Sequence, residues 1–281
     1  MKRILVTGAS GRLGKEIVLL LRNNNYEVIG IDLIESETTD ELIDIRNKKS
    51  ILKISKGMDA IIHTAALHGK HTDLNYTREQ FINTNINGTN NLLFSCVQND
   101  ISKFIYTSTT SIYGTAMVNS TQAVWVDEDL IPEPRDIYDI TKLSCELLCK
   151  DYFEKEKIET TVLRVSRFLP EDENIKANNR IYRGLDEKDG AKGHLLALEK
   201  KFESFEIYNI SNDSPFKKED LIKLYTNPKE VISKYYPQAI DYYKKNNWEF
   251  LPSIDRVYSI EKAKKELNYK PLKNFDSLIN N

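Results

Sequence analysis

The sequence has little of what would point away from an ordinary globular protein. It holds only three cysteines, Cys96, Cys145 and Cys149, in 281 residues. Their odd number and spacing exclude a disulfide framework and offer no zinc or other metal site; Cys145 and Cys149, four apart on an expected helix, read as small buried hydrophobes. Net charge is nearly absent, since 40 Lys and Arg against 42 Asp and Glu leave −2. With both signs spread along the chain, no field exists to concentrate DNA, RNA or acidic lipid. Apolar runs of the roughly 20 residues that span a bilayer are missing. An export signal is missing too, because Lys2-Arg3-Ile4-Leu5-Val6-Thr7 opens a strand at once. These absences predict a cytoplasmic protein with no nucleic-acid and no membrane partner.

What is present has the balance of a packed globule, with 40% hydrophobic and 29% charged residues. The length suits one large α/β domain with a small appended lobe. Short apolar, partly β-branched runs at 4–7, 27–32, 60–64, 104–107 and 161–165 read as strands buried on both faces. Between them, 13–22, 79–98 and 139–156 carry apolar residues at helical spacing. Such alternation predicts right-handed crossovers and a doubly wound parallel sheet of Rossmann type. After Val165 the rhythm breaks. The stretch 167–180 reads as polar and irregular, 191–200, 218–225 and 259–267 as helices, and 206–210 as a strand. Residues 1–167 are therefore expected to form a Rossmann-type domain and 168–281 a small C-terminal lobe, with the strand at 206–210 returning to the main sheet.

Thr7-Gly8-Ala9-Ser10-Gly11-Arg12-Leu13-Gly14 follows a strand and opens a helix, with glycines at i, i+3 and i+6. Gly8 suits a tight turn, Gly11 a close backbone approach to a pyrophosphate, and Gly14 close packing of helix on strand. Free N–H groups at the helix start would meet the anion. The second strand ends at Asp32, where a carboxylate accepts from both hydroxyls of an adenosine ribose and repels a 2′-phosphate. That favours NAD over NADP. Arg12 beside the turn suits a pyrophosphate, or an extra phosphate.

Tyr138 and Lys142 stand one helical turn apart on one face. A free phenol, with a pKa of about 10, is too weak a base near neutrality; a neighbouring ammonium and an oxidised nicotinamide would both favour the phenolate. Spacing alone proves little, because Tyr225/Lys229, Tyr258/Lys262 and Tyr269/Lys273 repeat it. The setting separates Tyr138 from these, since it opens the helix before the fifth strand. The fourth strand ends in the hydroxyl-rich run Thr107-Ser108-Thr109-Thr110-Ser111, at the edge where a parallel sheet binds ligands.

These residues resemble the extended short-chain dehydrogenase/reductase family, in its NAD-dependent epimerase/dehydratase branch, over nearly the whole chain. The likeness also rests on Asp44-Ile45, His63-Thr64-Ala65-Ala66, Asn85-Ile86-Asn87-Gly88-Thr89, Leu163-Arg164, Asp189 with His194-Leu195-Leu196-Ala197-Leu198, Tyr208-Asn209-Ile210 and Lys262-Ala263-Lys264-Lys265-Glu266-Leu267. The resemblance implies NAD as cofactor, held by Gly8, Ser10, Gly11, Arg12, Leu13, Gly14 and Asp32. It implies that Asp44 and Ile45 hold the adenine, that Ala65 lines the dinucleotide groove and that Asn85 stands near the nicotinamide. Thr109 would hydrogen-bond the reacting hydroxyl and Tyr138 would take its proton. Lys142 would bind the nicotinamide ribose and lower the phenol's pKa.

Two departures bear on the reaction. Dehydratases of this family carry an Asp-Glu pair where this chain has Thr110 and Ser111, which argues against elimination of water. After the fifth strand the usual Asn and long nucleotide-clamping segment give way to Arg167 and a short polar loop. There Arg167, Arg180 and Arg183 suit an anion, with solvated surface arginines as the competing reading; Ser111, Arg167 and Arg183 are the expected substrate contacts. In this shortening the chain resembles compact sugar-acid dehydrogenases. The expected activity is that of a sugar or nucleotide-sugar epimerase of the 4-epimerase type. The alternatives are a dehydrogenase or reductase of a smaller sugar or sugar acid, and a non-catalytic dinucleotide-binding regulator. The resemblance implies a homodimer on helices 79–98 and 139–156, whose apolar faces equally suit intrachain core.

Overall fold

The computed structural model describes residues 2–168 and 172–280, so positions 169–171 of the polar stretch 167–180 lie outside the described residues. Among the described residues nine strands form two sheets: β1 Arg3–Thr7, β2 Glu27–Asp32, β3 Glu41–Leu42, β4 Ala60–His63, β5 Lys103–Thr109, β6 Val124–Val126, β7 Glu159–Val165, β8 Glu206–Ile210 and β9 Arg256–Tyr258. The main sheet has the order β3-β2-β1-β4-β5-β7-β8. Every pairing in it is parallel.

Period-two side chains divide the core between the two faces of this sheet. Ile4 and Val6 of β1 join Ile17, Val18 and Leu21 of the Arg12–Asn23 helix and Leu195 and Leu198 of the Glu187–Glu199 helix. Leu5, between them, points the other way. It joins Ile61, Phe104, Leu92 and Leu93, together with Cys96, Cys145 and Cys149, on the face covered by the Gly88–Gln98 and Ile137–Glu156 helices. The three thiols are free and buried, and burial pushes each of them up in pKa.

The stretch 79–98 is not one uniform helix. It breaks into a short helix Arg78–Phe81, a π-turn Ile82–Asn87 and the helix Gly88–Gln98. Thr77 starts it with a reciprocal capping box to Gln80. A Cβ on Gly88 would stand 2.5 Å from Ile45 Cδ1, so this helix packs closely against the loop after β3.

A third cluster gathers Ala177, Ile181, Phe216, Leu224, Ile232, Tyr243, Val257 and Phe275, with Ala123 and Trp125 from much earlier in the chain. β6 pairs with β9 in a separate two-stranded parallel sheet. β8 pairs with β7 in the main sheet, and the Glu187–Glu199 helix packs on the Arg12–Asn23 helix. The chain therefore passes between sheet and lobe more than once. Within the stretch expected to be irregular, Asp172 caps a helix Glu173–Arg180. Among the described residues, no helix is long and apolar enough to cross a membrane.

Candidate active site

β1 delivers the chain into the glycine turn at the carboxyl edge of the sheet. Gly8 has φ +72°, and a Cβ there would meet Ala65 N at 2.7 Å. A Cβ on Gly14 would stand 2.0 Å from Gly8 O. Both positions therefore require glycine, Gly8 for its left-handed backbone and Gly14 for its contact with the turn. The Gly11 N–H donates to Gly8 O at 3.1 Å, so it braces the turn from inside. The first helical N–H groups, from Arg12 to Gly14, have no side-chain cap and no carbonyl earlier in the helix to bond. They are free to donate to an anion at the turn. Leu13 is buried in the core and touches Gly190.

Asp32 ends β2 with its carboxylate on the turn. It accepts the Ser10 N–H at 2.9 Å, the Leu33 N–H at 2.6 Å and the Ile34 N–H at 3.3 Å. Two carboxylate oxygens offer about four acceptor sites, so the group braces the turn and keeps capacity for ribose hydroxyls. Arg12 directs its guanidinium to Glu187 at the start of the Glu187–Glu199 helix. Asp44 is gripped by Arg46, Nε to Oδ2 at 2.9 Å, and that guanidinium holds its carboxyl below the usual range. Ile45 lies buried beneath Gly88. Ala65 covers Gly8, with its N–H 3.3 Å from Thr7 Oγ1. Asn85, expected beside the nicotinamide, uses its amide inside the protein: it accepts from Leu67 N at 2.8 Å and donates to Leu67 O at 3.0 Å and Thr141 Oγ1 at 2.9 Å.

The catalytic candidates meet where β5 ends and the Ile137–Glu156 helix begins. Asp136 caps that helix by accepting the Asp139 N–H at 2.9 Å. This puts Tyr138 in the first turn, beside the end of β5, where Thr109 favours its phenolate form. Lys142 follows one turn later, almost fully buried. Its ammonium donates to Thr107 O at 2.7 Å and lies 4.2 Å from the centroid of the Tyr106 ring. Burial lowers the amine to about 8. Burial, with the charges of Asp139 and Asp136, raises Tyr138 to about 12 against the opposing influence of Thr109.

Of the expected substrate contacts, Ser111 donates its backbone N–H to Thr109 Oγ1 at 3.1 Å. Arg167 bridges to Gly184 through its backbone after β7. Arg183 is half-buried, with Nε on Asn179 Oδ1 at 2.6 Å and its guanidinium 5.2 Å from the Tyr182 ring. Arg180 belongs to neither expected reading. It is buried and pairs with Asp186 at 2.9 Å, so it fastens the lobe instead of facing solvent or an anion. The other Tyr/Lys pairs also differ in setting, since the Tyr258 hydroxyl points at the Met117 sulfur and the buried Tyr269 hydroxyl at Ser211 O.

Sequence reasoning passes over a buried polar layer beneath these groups. Glu146, one turn beyond Lys142, takes the Arg164 guanidinium at 2.7 Å and the Ser108 hydroxyl at 2.5 Å. Arg164 also donates to the Tyr113 hydroxyl at 3.0 Å, which donates to Asn209 Oδ1 at 2.9 Å. On the other side of Lys142, Thr107 Oγ1 lies 2.8 Å from His194 Nε2, and His63 bridges Thr7 and Thr89. Burial pushes His194 down to about 4 and His63 well below its usual value. A readable signal exists: an arginine inside the apolar run Thr161-Val162-Leu163-Arg164-Val165 needs an acid, and Glu146 stands on the buried face of the helix that covers it.

Sheet, glycine turn and Tyr–Thr–Lys cluster define a Rossmann-type protein of the short-chain dehydrogenase/reductase kind. Residues 4–183 match the model of the NAD dependent epimerase/dehydratase family, and the chain belongs to that family. The family's coenzyme is NAD, and the turn with Asp32 fits it. GDP-mannose 3,5-epimerase 1 of Oryza sativa subsp. japonica is 30% identical over 59% of this chain and 46% of its own, so the match spans about half the length of that relative. L-arabinose 1-dehydrogenase (NAD(P)(+)) of Haloferax volcanii is 25% identical over 70% of this chain and 77% of its own. The crystal structure of UDP-glucuronic acid 4-epimerase from Bacillus cereus, in complex with UDP-glucuronic acid and NAD, superposes with a TM-score of 0.71. It is 25% identical and covers 99% of this chain and 96% of that one.

Proposed function

We propose that the protein is an NAD-dependent enzyme acting on a sugar or nucleotide sugar, of the 4-epimerase type, with Tyr138 as base. The observation that carries this reading is the convergence at the carboxyl edge of the sheet of Thr109, at the end of β5, with Tyr138 in the first turn of the Ile137–Glu156 helix and the buried Lys142 one turn later, its ammonium on Thr107 O at 2.7 Å. The helix start at Arg12–Gly14 would hold the pyrophosphate, Asp32 a ribose, and Lys142 the nicotinamide ribose. Bound NAD supplies the hydride acceptor and donor. Thr109 fixes the reacting hydroxyl of the substrate by hydrogen bonding, and Tyr138 takes that proton and later returns it. The buried Lys142 ammonium keeps a positive charge beneath the site, fixed in place by the Thr107 carbonyl. Ser111, Arg167 and Arg183 would contact the substrate.

A second reading, net oxidation of a smaller free sugar, draws support from the similarity to the haloarchaeal L-arabinose 1-dehydrogenase and from the short passage between β7 and the Glu187–Glu199 helix. One experiment separates them. Purified protein is examined for tightly bound NAD, then offered NAD with nucleotide sugars, free sugars and uronates. Isomer interconversion without net NADH supports the epimerase; NADH accumulating from a free sugar replaces it with the dehydrogenase. Absence of both with every compound, in protein that binds NAD, removes both.

A further inference from the structure

Lys142 is 3% exposed, and a buried ammonium is costly unless something nearby replaces the water it has lost. The usual replacement is a carboxylate. Glu146, one helical turn further on, is the acid placed to serve, but its oxygens take the Arg164 guanidinium at 2.7 Å and the Ser108 hydroxyl at 2.5 Å. The other titratable groups around the amine carry no negative charge. From β4, His63 lies buried between Thr7 and Thr89, and burial keeps it neutral. On the helix of Lys142 itself, burial keeps the Cys145 and Cys149 thiols protonated, and the Tyr138 phenol, one turn earlier, is raised to about 12. Among the described residues, Lys142 therefore has no free anion as a partner.

Two neighbouring residues of β5 supply what the ammonium does meet. Thr107 O accepts one N–H at 2.7 Å, and the centroid of the Tyr106 ring lies 4.2 Å from Nζ. A ring face is the negative side of the aromatic quadrupole, and it attracts an ammonium within about 6 Å of the centroid, most strongly where water is excluded. Water is excluded here, since Tyr106 is as buried as Lys142. The ring is held in place by the apolar cluster of Phe104, Cys145 and Cys149, with the His63 ring 5.7 Å away. Its hydroxyl has no hydrogen-bond partner among the described residues. The part of the side chain that acts on Lys142 is thus the ring face.

We propose that Tyr106 is a positioning residue whose ring face, together with the Thr107 carbonyl, stands in for the missing counter-anion and holds the Lys142 ammonium charged and in place. Its consequence for the reaction rests on the reading of Lys142 as the cation beside the nicotinamide ribose: the charge under the site is kept by an aromatic face, with no carboxylate there to draw it away from a ligand.

The test measures no turnover, so it fails separately from the functional reading. Tyr106 is replaced by phenylalanine, then by 4-fluoro-, 3,5-difluoro- and 3,4,5-trifluorophenylalanine, which drain the ring face stepwise while nearly keeping its shape. Lys142 is titrated without coenzyme by carbon NMR of lysines labelled at the ε carbon, its signal identified by its loss in Lys142→Met. Tyr106→Phe is expected to titrate within about 0.3 unit of the parent, and the midpoint then to fall with each added fluorine, by about 1 unit over the series, the equivalent of a desolvated contact of this kind. A midpoint that stays level or rises along the series overturns the proposal. So does a full fall at Tyr106→Phe, which would give the role to the hydroxyl. If the trifluoro variant does not fold, the first two fluorinated steps decide by the same slope.

Discussion

The backbone carbonyl of Thr107 takes the ammonium of Lys142 at 2.7 Å. That single acceptor and the Tyr106 ring face are the close partners of an almost fully buried cation, and its pKa falls to about 8 from the ordinary value of 10.5. Stability should follow. Below pH 8 both folded and unfolded chains carry the proton. Between about 8 and 10.5 the unfolded chain keeps a proton that the folded one has released, so resistance to unfolding rises with pH across that window. The full effect is roughly 3 kcal/mol. Urea denaturation at pH 7.5, 9 and 10 should show the rise in the parent chain and its loss in Lys142→Met. Parallel pH curves for the two proteins would refute it.

Tyr138→Phe removes the proton acceptor and leaves the glycine turn and Asp32 untouched. Turnover is expected to drop by about 10²–10⁴-fold, the range for a positioned acid–base group, while NAD affinity changes by less than about threefold. Steady-state rates and calorimetry decide the matter. Undiminished turnover would remove the phenol from the mechanism.

Asp32→Ala takes away the carboxylate that accepts three backbone N–H groups as well as the proposed ribose contact. NAD should bind about 10–100-fold more weakly, as expected for lost hydrogen bonds to a charged group, and the handicap of NADP should shrink. Competition binding with both coenzymes reads this directly, and an unaltered preference would mean that the ribose lies elsewhere.

Glu146→Gln leaves the buried Arg164 guanidinium without its counter-charge. A loss of about 3–5 kcal/mol is expected on breaking such a pair from one side. Replacing both partners, Glu146→Gln with Arg164→Met, should recover part of it. If the single and double variants unfold at the same denaturant concentration as the parent, the pair carries no structural weight.

The sheet is legible in the sequence because long buried runs announce themselves. The strand at 27–32 can be read to the residue, and so can 206–210, whose neighbour in the sheet, β7, is given by the structure. β3, β6 and β9 escape, at two or three residues each too short for any period to show. The Glu173–Arg180 helix hides in a polar segment because its burial comes from distant partners, such as Tyr243, whose hydroxyl reaches Asn178 at 3.1 Å. In the site, the glycine turn and the Tyr138/Lys142 spacing are local and can be read directly. The direction of the phenol's pKa depends on the depth of burial and on two carboxylates at the helix start, and depth is not written in spacing. Arg180 is hidden for the same reason, since Asp186 and Lys273 meet it only once the lobe has closed.

Asp189, at the head of the Glu187–Glu199 helix, accepts the N–H groups of Leu272 and Lys273 at 2.9 and 2.8 Å, and Phe275 and Ile279 complete the lobe's interior. On the ribosome, the first five strands of the main sheet can be made and paired early, whereas the lobe must wait for residues more than a hundred positions later than β7. Its apolar parts are born unsheltered, so chaperone demand during synthesis should concentrate on the second half of the chain, and release of the 270s should mark the moment when that demand ends.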